Sequence, residues 1–546
     1  MSHARPKTAF LLIAPALILG VAAACSDDPE VKSTPDAGAD SSTETDGSTN
    51  NNCPEVPEPE CSAAKCTTDP NDPQVCIEGQ CVKLKSQDCQ RVGGDLEGAN
   101  VVVIGASLAQ SGNNAGSGLS RINSLELAIK EVNTAGGVRD PDRCKPSRTL
   151  AYVACDDSNR AEAQDAGVTI PSIDRVRGAK HLIENLKVPV IVGASTSGNT
   201  LDVAENATVP GKTVLFSPSS TAISITTFPA SPDGTRLLWR AAPSDVVQST
   251  VLQKMFVQLE AEVKAGNGNA PIKLALVTKT DAYGAGIKGA FKQGLQVNGA
   301  APTEDSLFEA VFPPDDTEEG KEARNAVATQ LGTFQPDIVV MAGTDEATDD
   351  IMAPFEAANP AKKPLYILAD GQKKPKLVTL LNGKEDLRKR IRGVQPGIVT
   401  PLAQAFFNFG YKQAYGDDAV LAYGMAGTYD IGYMIAYALT VSKGAPVNGT
   451  DFAKNMSFLV GGTQKIDVGS ANLSKGMEAL LKGEKIDFNG ASGPLDFDPA
   501  TGEAPSDYSI WCVKIDPNTS APVFEEATGQ SYLATTGELT GTYNCP

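Results

Sequence analysis

From Asn100 onward the chain alternates short apolar runs with segments of helical period. VVVIGAS precedes RINSLELAIKEVN, TLAYVAC precedes RAEAQDAG, VPVIVGAS precedes TLDVAENA, and TVLFSPSS closes the series. A second series follows Asp245: KLALVTKTDAYG before GIKGAFKQGLQ, PDIVVMAGTDE before ATDDIMAPFEAA, then PLYILADGQ. Strands alternating with helices at this spacing predict parallel βαβ units. Near-continuous apolar strands are what a sheet covered by helices on both faces requires. In open sheets of this kind ligands sit beyond the carboxyl ends of the strands. Those ends are polar throughout, reading GASLAQSG at 105–112, CDDSN at 155–159, GASTSGNT at 193–200, SPSST at 217–221, TDAYG at 280–284, GTDE at 343–346 and ADGQ at 369–372. One such turn is a helix cap. Seven on the same side of two sheets predict the facing walls of a cleft.

A length of 546 residues exceeds one core and predicts two lobes with accessory segments. The first 24 residues carry Arg5 and Lys7, an apolar stretch from Ala9 to Ala24 and small residues before Cys25, the features of an export signal. The stretch VAAAC resembles a bacterial lipoprotein signal, which implies cleavage before Cys25 and a lipid on that cysteine. Setting Cys25 aside leaves ten of the eleven cysteines, an even number that suits disulfides in an oxidising compartment. Residues 25–52 then form a lipid-anchored linker, too poor in large apolar side chains to fold. Residues 53–97 form a small Cys-rich module, with cysteines at 53, 61, 66, 76, 81 and 89. The spacing lacks C-x2-C pairs, so three disulfides within the module are expected rather than zinc, and no metal or cofactor is expected elsewhere. Cys144 with Cys155 and Cys512 with Cys545 are the remaining expected pairs. A net charge of −19 disfavours nucleic acid as a partner.

The ordered series IGASLAQSG, LAIKEVNTAGGV, ACDDSN, IVGASTSGNT, VLFSPSST, LLWRAAPSD, LALVTKTDAYGAG, DIVVMAG, ILADG and GASGPLDFDPATG resembles the type I periplasmic solute-binding proteins, in the leucine/isoleucine/valine-binding branch of ABC transporter receptors. The resemblance runs from about Asn100 to Val513. It implies an α/β fold of two doubly wound parallel-sheet lobes joined by a three-strand hinge. Crossings are expected near 242–245, 394–397 and 496–499, giving lobe one as 98–243 with 398–496 and lobe two as 244–397 with 497–546. It also implies that hydroxyls and backbone N–H groups of two strand-end turns hold a ligand carboxylate, here Ser195 and Ser197 with Ser219, Ser220 and Thr221. An ammonium group would meet Asp370, and Tyr283 would pack on the ligand. Ser117 and Thr344 stand where relatives often carry tyrosines, which opens the site to more polar solutes. The implied role is a lipid-anchored, extracytoplasmic receptor that delivers an amino-acid-like solute to ABC permease and ATPase subunits. A ligand sensor of the same fold, reporting to a partner protein, is the alternative.

Two motifs compete with this reading. Gly284, Gly286 and Gly289 spell G-x-G-x-x-G after a strand, but at the start of the second sheet rather than the first βαβ unit, so a helix entry beside Tyr283 explains them better than a dinucleotide. GASTS nearly spells a hydrolase elbow, yet its last position is Ser197 rather than glycine. The chain has two histidines, His3 in the signal and His181 in a helical stretch, so no enzyme is expected.

Overall fold

A computed structural model describes residues 61–545 other than 62, 68, 143, 166–167, 398–400, 418 and 420. The expected signal over 1–24, Cys25, the linker over 25–52 and Cys53 lie outside the described residues. Among the described residues no helix is long and apolar enough to cross a membrane.

Lobe one is built on β1 (Arg91–Gly94), β2 (Val101–Ser107), β3 (Thr149–Cys155), β4 (Val190–Gly193), β5 (Val214–Ser217) and β6 (Leu238–Arg240). Their order across the sheet is β6-β5-β4-β2-β3-β1, and every pairing is parallel except β1 with β3. The continuous apolar runs have a simple cause. Ile104 and Ala106 of β2 pack into one core with α1 (Ala115–Thr134) and the helix Met425–Val441, while Val103 packs on the other face with Leu182, Ile183 and Val203. Both faces of each strand are therefore buried, and period-two alternation disappears.

Lobe two repeats the scheme with β7 (Leu274–Lys279), β8 (Leu307–Phe312), β9 (Ile338–Ala342), β10 (Leu365–Leu368) and β11 (Ile391–Pro396), all parallel, in the order β8-β7-β9-β10-β11. The tail extends that sheet antiparallel through β12 (Tyr508–Ile515), β13 (Gln530–Leu533) and β14 (Glu538–Gly541). Cys512 and Cys545 are bonded, with Cα atoms 6.1 Å apart, and fasten the tail.

The structure corrects five sequence expectations. The module over 53–97 is not separate from lobe one: Cys61–Cys76 and Cys66–Cys81 close it internally around the hairpin Gln74–Ile77 and Gln80–Lys83, but β1 joins the lobe-one sheet and Cys89 bonds to Cys155. Three disulfides within 53–89 are thus not formed among themselves, because β1 carries Cys89 alongside the end of β3, with Cα atoms 3.8 Å apart. The expected Cys144–Cys155 pair is consequently excluded; Cys144 is disulfide-bonded elsewhere. The third crossing lies beyond 496–499, since Phe497 packs edge-on against Phe216 and Trp239, and Ala504 also lies in the lobe-one core. Finally, RAEAQDAG contains a strand, Ala163–Asp165, paired with Val168–Ile170. Its residues favour helix one by one but offer no apolar stripe to bury, and that stripe is what stabilises a helix in a protein.

Candidate functional site

The stretch GASTSGNT begins with a residue that only glycine can be. Gly193 has φ +152°, and a Cβ there would lie 2.2 Å from the Ser107 carbonyl oxygen of the adjacent strand. The chain then enters α2 (Ser197–Val203), whose N-cap is Thr196, accepting from the Asn199 amide at 3.4 Å. One hydroxyl of the string is therefore a cap. Its neighbours on either side turn into a cleft between the lobes.

Ser195 donates its amide to Asp157 Oδ2 at 2.6 Å and accepts the Ala109 amide on Oγ at 2.8 Å. Ser197 Oγ accepts the Ala222 amide at 3.2 Å. A hydroxyl offers one donor and two acceptor sites. Both act here as acceptors from the backbone, so their O–H protons remain for an acceptor in the cleft. Ser219 lines the same wall, its Oγ 3.4 Å from the Ser195 carbonyl. Arg121 of α1 backs it, donating to the carbonyls of Ser195 at 3.0 Å and Tyr423 at 3.1 Å. Burial lowers the Arg121 pKa from its ordinary value.

The facing wall comes from lobe two. Asp281 caps α4 (Ala282–Lys292), accepting the Gly284 amide at 3.0 Å. A Cβ on Gly284 would lie 2.2 Å from the Lys279 carbonyl, so this glycine serves a close helix entry, while Gly289 faces open space. That helix start presents Tyr283, which donates to Asp370 Oδ1 at 2.7 Å and accepts the Gly371 amide at 3.2 Å. Asp370, just past β10, is buried, and burial pushes its carboxyl above the usual range. Behind it Asp245 of α3 (Asp245–Gly266) is buried, and burial together with Asp370 pushes it well up.

Lobe two also supplies charge that pairs within itself. Lys279 ends β7 with Nζ 3.1 Å from Glu346 Oε1, 3.1 Å from Thr344 Oγ1 and 3.6 Å from Asp281 Oδ2. Burial would lower the Lys279 ammonium, yet Glu346 and Asp281 hold it above its ordinary value. Glu346, which burial would raise, is held below the usual carboxylate range by Lys279 and by the Thr344 hydroxyl. Lys374 reaches across to lobe one, where Nζ meets Asn114 Oδ1 at 2.7 Å. At the rim Asp316 accepts the Asn113 amide at 3.1 Å.

Of the residues expected at the site, the structure brings Ser195, Ser197, Ser219, Tyr283, Thr344 and Asp370 to one cleft. Three others stand behind its lining. Ser117 Oγ turns back along α1 to the Asn114 carbonyl at 3.0 Å, Ser220 Oγ pairs with Thr200 Oγ1 at 2.8 Å, and Thr221 lies beside Asp245, whose amide its carbonyl accepts at 2.8 Å. Sequence reasoning missed the cleft's Arg121, Lys279, Asp281, Lys374 and Tyr423. Lys279 had a readable signal, a lone charge closing an otherwise apolar strand. Lys374, in GQKKP, reads as an ordinary surface lysine. His181 lies outside this lining, its Nε2 2.9 Å from the Leu84 carbonyl.

A family model described as periplasmic binding protein matches residues 101–519. Among solved structures, the branched-chain amino acid transporter substrate-binding protein LivJ from Streptococcus pneumoniae, in complex with isoleucine, is 18% identical, covers 78% of this chain and 100% of its own, and superposes with a TM-score of 0.54. A solute-binding protein of an ABC transporter from Rhodopseudomonas palustris, in complex with 3,4-dihydroxy benzoic acid, is 16% identical over 82% of this chain and 99% of its own, with a TM-score of 0.54. The leucine-binding protein LivK from Thermotoga maritima is 16% identical over 80% and 99%, again with a TM-score of 0.54. No curated protein matches the chain at a significant level.

Proposed function

Because this chain belongs to the periplasmic binding protein family, we propose that it is the extracytoplasmic receptor of an ABC importer, binding a small amino-acid-like solute between its lobes. The observation that carries the proposal is the convergence of Ser195, Ser197 and Ser219 from one lobe with Tyr283 and Asp370 from the other on a single cleft. Hydroxyl protons on one side suit a carboxylate, and a buried carboxylate on the other suits an ammonium. Closing the lobes around the solute removes water and strengthens both contacts. The structural relatives' amino acid and aromatic acid ligands support a carboxylate-bearing solute.

In this reading Cys25 carries a lipid, the residues after it form the tether, and the closed lobes dock on a permease that an ATPase drives. Mass spectrometry of the mature protein checks the anchor, and an unmodified Cys25 would count against it. Calorimetry against amino acids, amides and small carboxylates tests the ligand class. Asp370→Asn is expected to weaken an amino acid by more than Ser197→Ala does, since the serine shares its load with other donors. A tight ligand indifferent to both variants would sink the assignment of the site.

A further inference from the structure

The contacts proposed above use the hydroxyls and Asp370 and leave two cations of the cleft without an anionic partner. Lys374 and Arg121 both line it and both are buried. Lys374 Nζ meets only a neutral carboxamide oxygen, Asn114 Oδ1 at 2.7 Å. The Arg121 guanidinium meets only carbonyl oxygens, of Ser195 at 3.0 Å and of Tyr423 at 3.1 and 3.4 Å. Among the described residues neither has a carboxylate oxygen within 4.0 Å, whereas Lys279, on the same wall, has Glu346 at 3.1 Å.

An unpaired buried cation is costly, and two close enough to oppose one another are more so. Arg121 does disfavour the Lys374 charge, and burial lowers Lys374 to about 8. The acid nearest to relieving it, Asp345, lies beyond ion-pair distance, leaves one oxygen unpartnered, and is itself pushed by burial toward its neutral form. The protein thus leaves an incomplete ion pair open to the cleft.

Resting on the receptor reading above, we infer that the solute carries a second anionic group, seated between Lys374 of lobe two and Arg121 of lobe one, so that the ligand is an amino acid with an acidic side chain. Its ammonium faces Asp370, one carboxylate faces the serine hydroxyls, and the other completes the Lys374–Arg121 pair. Because the two cations belong to different lobes, the second carboxylate also ties the lobes together, and solutes that lack it leave the buried charges uncompensated.

The test is calorimetric titration of the full-length protein with aspartate and glutamate, and separately with leucine and isoleucine. The expected result is a preference for the acidic pair. Lys374→Met should lower that affinity by roughly tenfold to a hundredfold, the size of a hydrogen bond to a charged group, while Lys374→Arg keeps the preference. Thermal unfolding verifies that each variant is folded; if Lys374→Met is not, the wild-type panel decides alone. Tighter binding of leucine or isoleucine, or equal weakening of both pairs by Lys374→Met, overturns the second anion and leaves the receptor reading intact. Failure of every amino acid to bind overturns both. Binding of a dicarboxylate without an ammonium as tightly as glutamate overturns the amino acid assignment while retaining the anion seat.

Discussion

The two walls of the cleft are built on opposite principles. The lobe-one wall is held by its backbone: the amides of Ala109 and Ala222 fix the Ser195 and Ser197 hydroxyls, and Asp157 fixes the Ser195 amide. The lobe-two wall is held by its side chains, with Lys279, Glu346 and Thr344 in one buried cluster and Tyr283 on Asp370 in another. A backbone-held wall tolerates loss of a single side chain because its donors are redundant. A wall of buried charges does not, because each partner removed strands the other.

The widest test of that contrast is Glu346→Gln. It leaves Lys279 buried with only the more distant Asp281 carboxylate, 3.6 Å away, and is expected to reduce unfolding free energy by up to about 3–5 kcal/mol, measured by denaturant titration. A loss below 1 kcal/mol, roughly that of an exposed pair, would erase the distinction between the walls. On the other side the critical covalent point is Cys89–Cys155, which pins the end of β3 immediately before Asp156 and Asp157. Replacing both cysteines with serine should cost about 2–4 kcal/mol, read from the unfolding midpoint with and without reductant. It should also loosen the serine wall, visible as faster amide exchange at Ser195.

A smaller effect separates the walls by pH. Lys374 has a folded pKa of about 8 against an ordinary 10.5, so its charge is present below that value and lost as pH rises through it. Affinity for an anionic solute should therefore fall as pH climbs past about 8, with Arg121, Lys279, Asp345 and Glu346 as the charged groups facing it. The unliganded protein has the opposite dependence. Its unfolded chain binds the proton more tightly, so its stability rises over the same interval. Calorimetry and melting across that range check the two signs. The smallest effect is at the rim, where Asp316→Ala removes the Asn113 contact between the lobes. Being exposed, that contact should contribute less than about 1 kcal/mol and show only as slightly faster ligand release in stopped-flow.

The neutral wall was legible because it is local. Gly193 followed by small hydroxyl residues at a strand end can be read as a turn with its donors exposed, since strand, glycine and cap lie within a few residues of one another. The same locality also brings in Ser117, Ser220 and Thr221, which share the composition of the wall but lie outside its lining. Which hydroxyl of a turn faces the cleft depends on the path of the neighbouring chain, as Thr200 drawing off Ser220 shows. The Cys89–Cys155 bond escaped for a related reason: it depends on β1 pairing antiparallel with β3, a contact between segments far apart in sequence.

By itself the sequence determined the alternation of buried strands and helices, the family resemblance that predicted two lobes, and the row of polar strand ends. Each follows from residues close together along the chain, where periodicity and turn chemistry act directly. Only the tertiary structure decided that Lys279 finds Glu346, that Lys374 meets Asn114 across the lobes, and that Arg121 comes to rest on carbonyls. A lysine or arginine has the same appearance in a sequence whether it is solvated or buried. Its role is fixed by which distant segment arrives beside it, and long-range packing alone settles that.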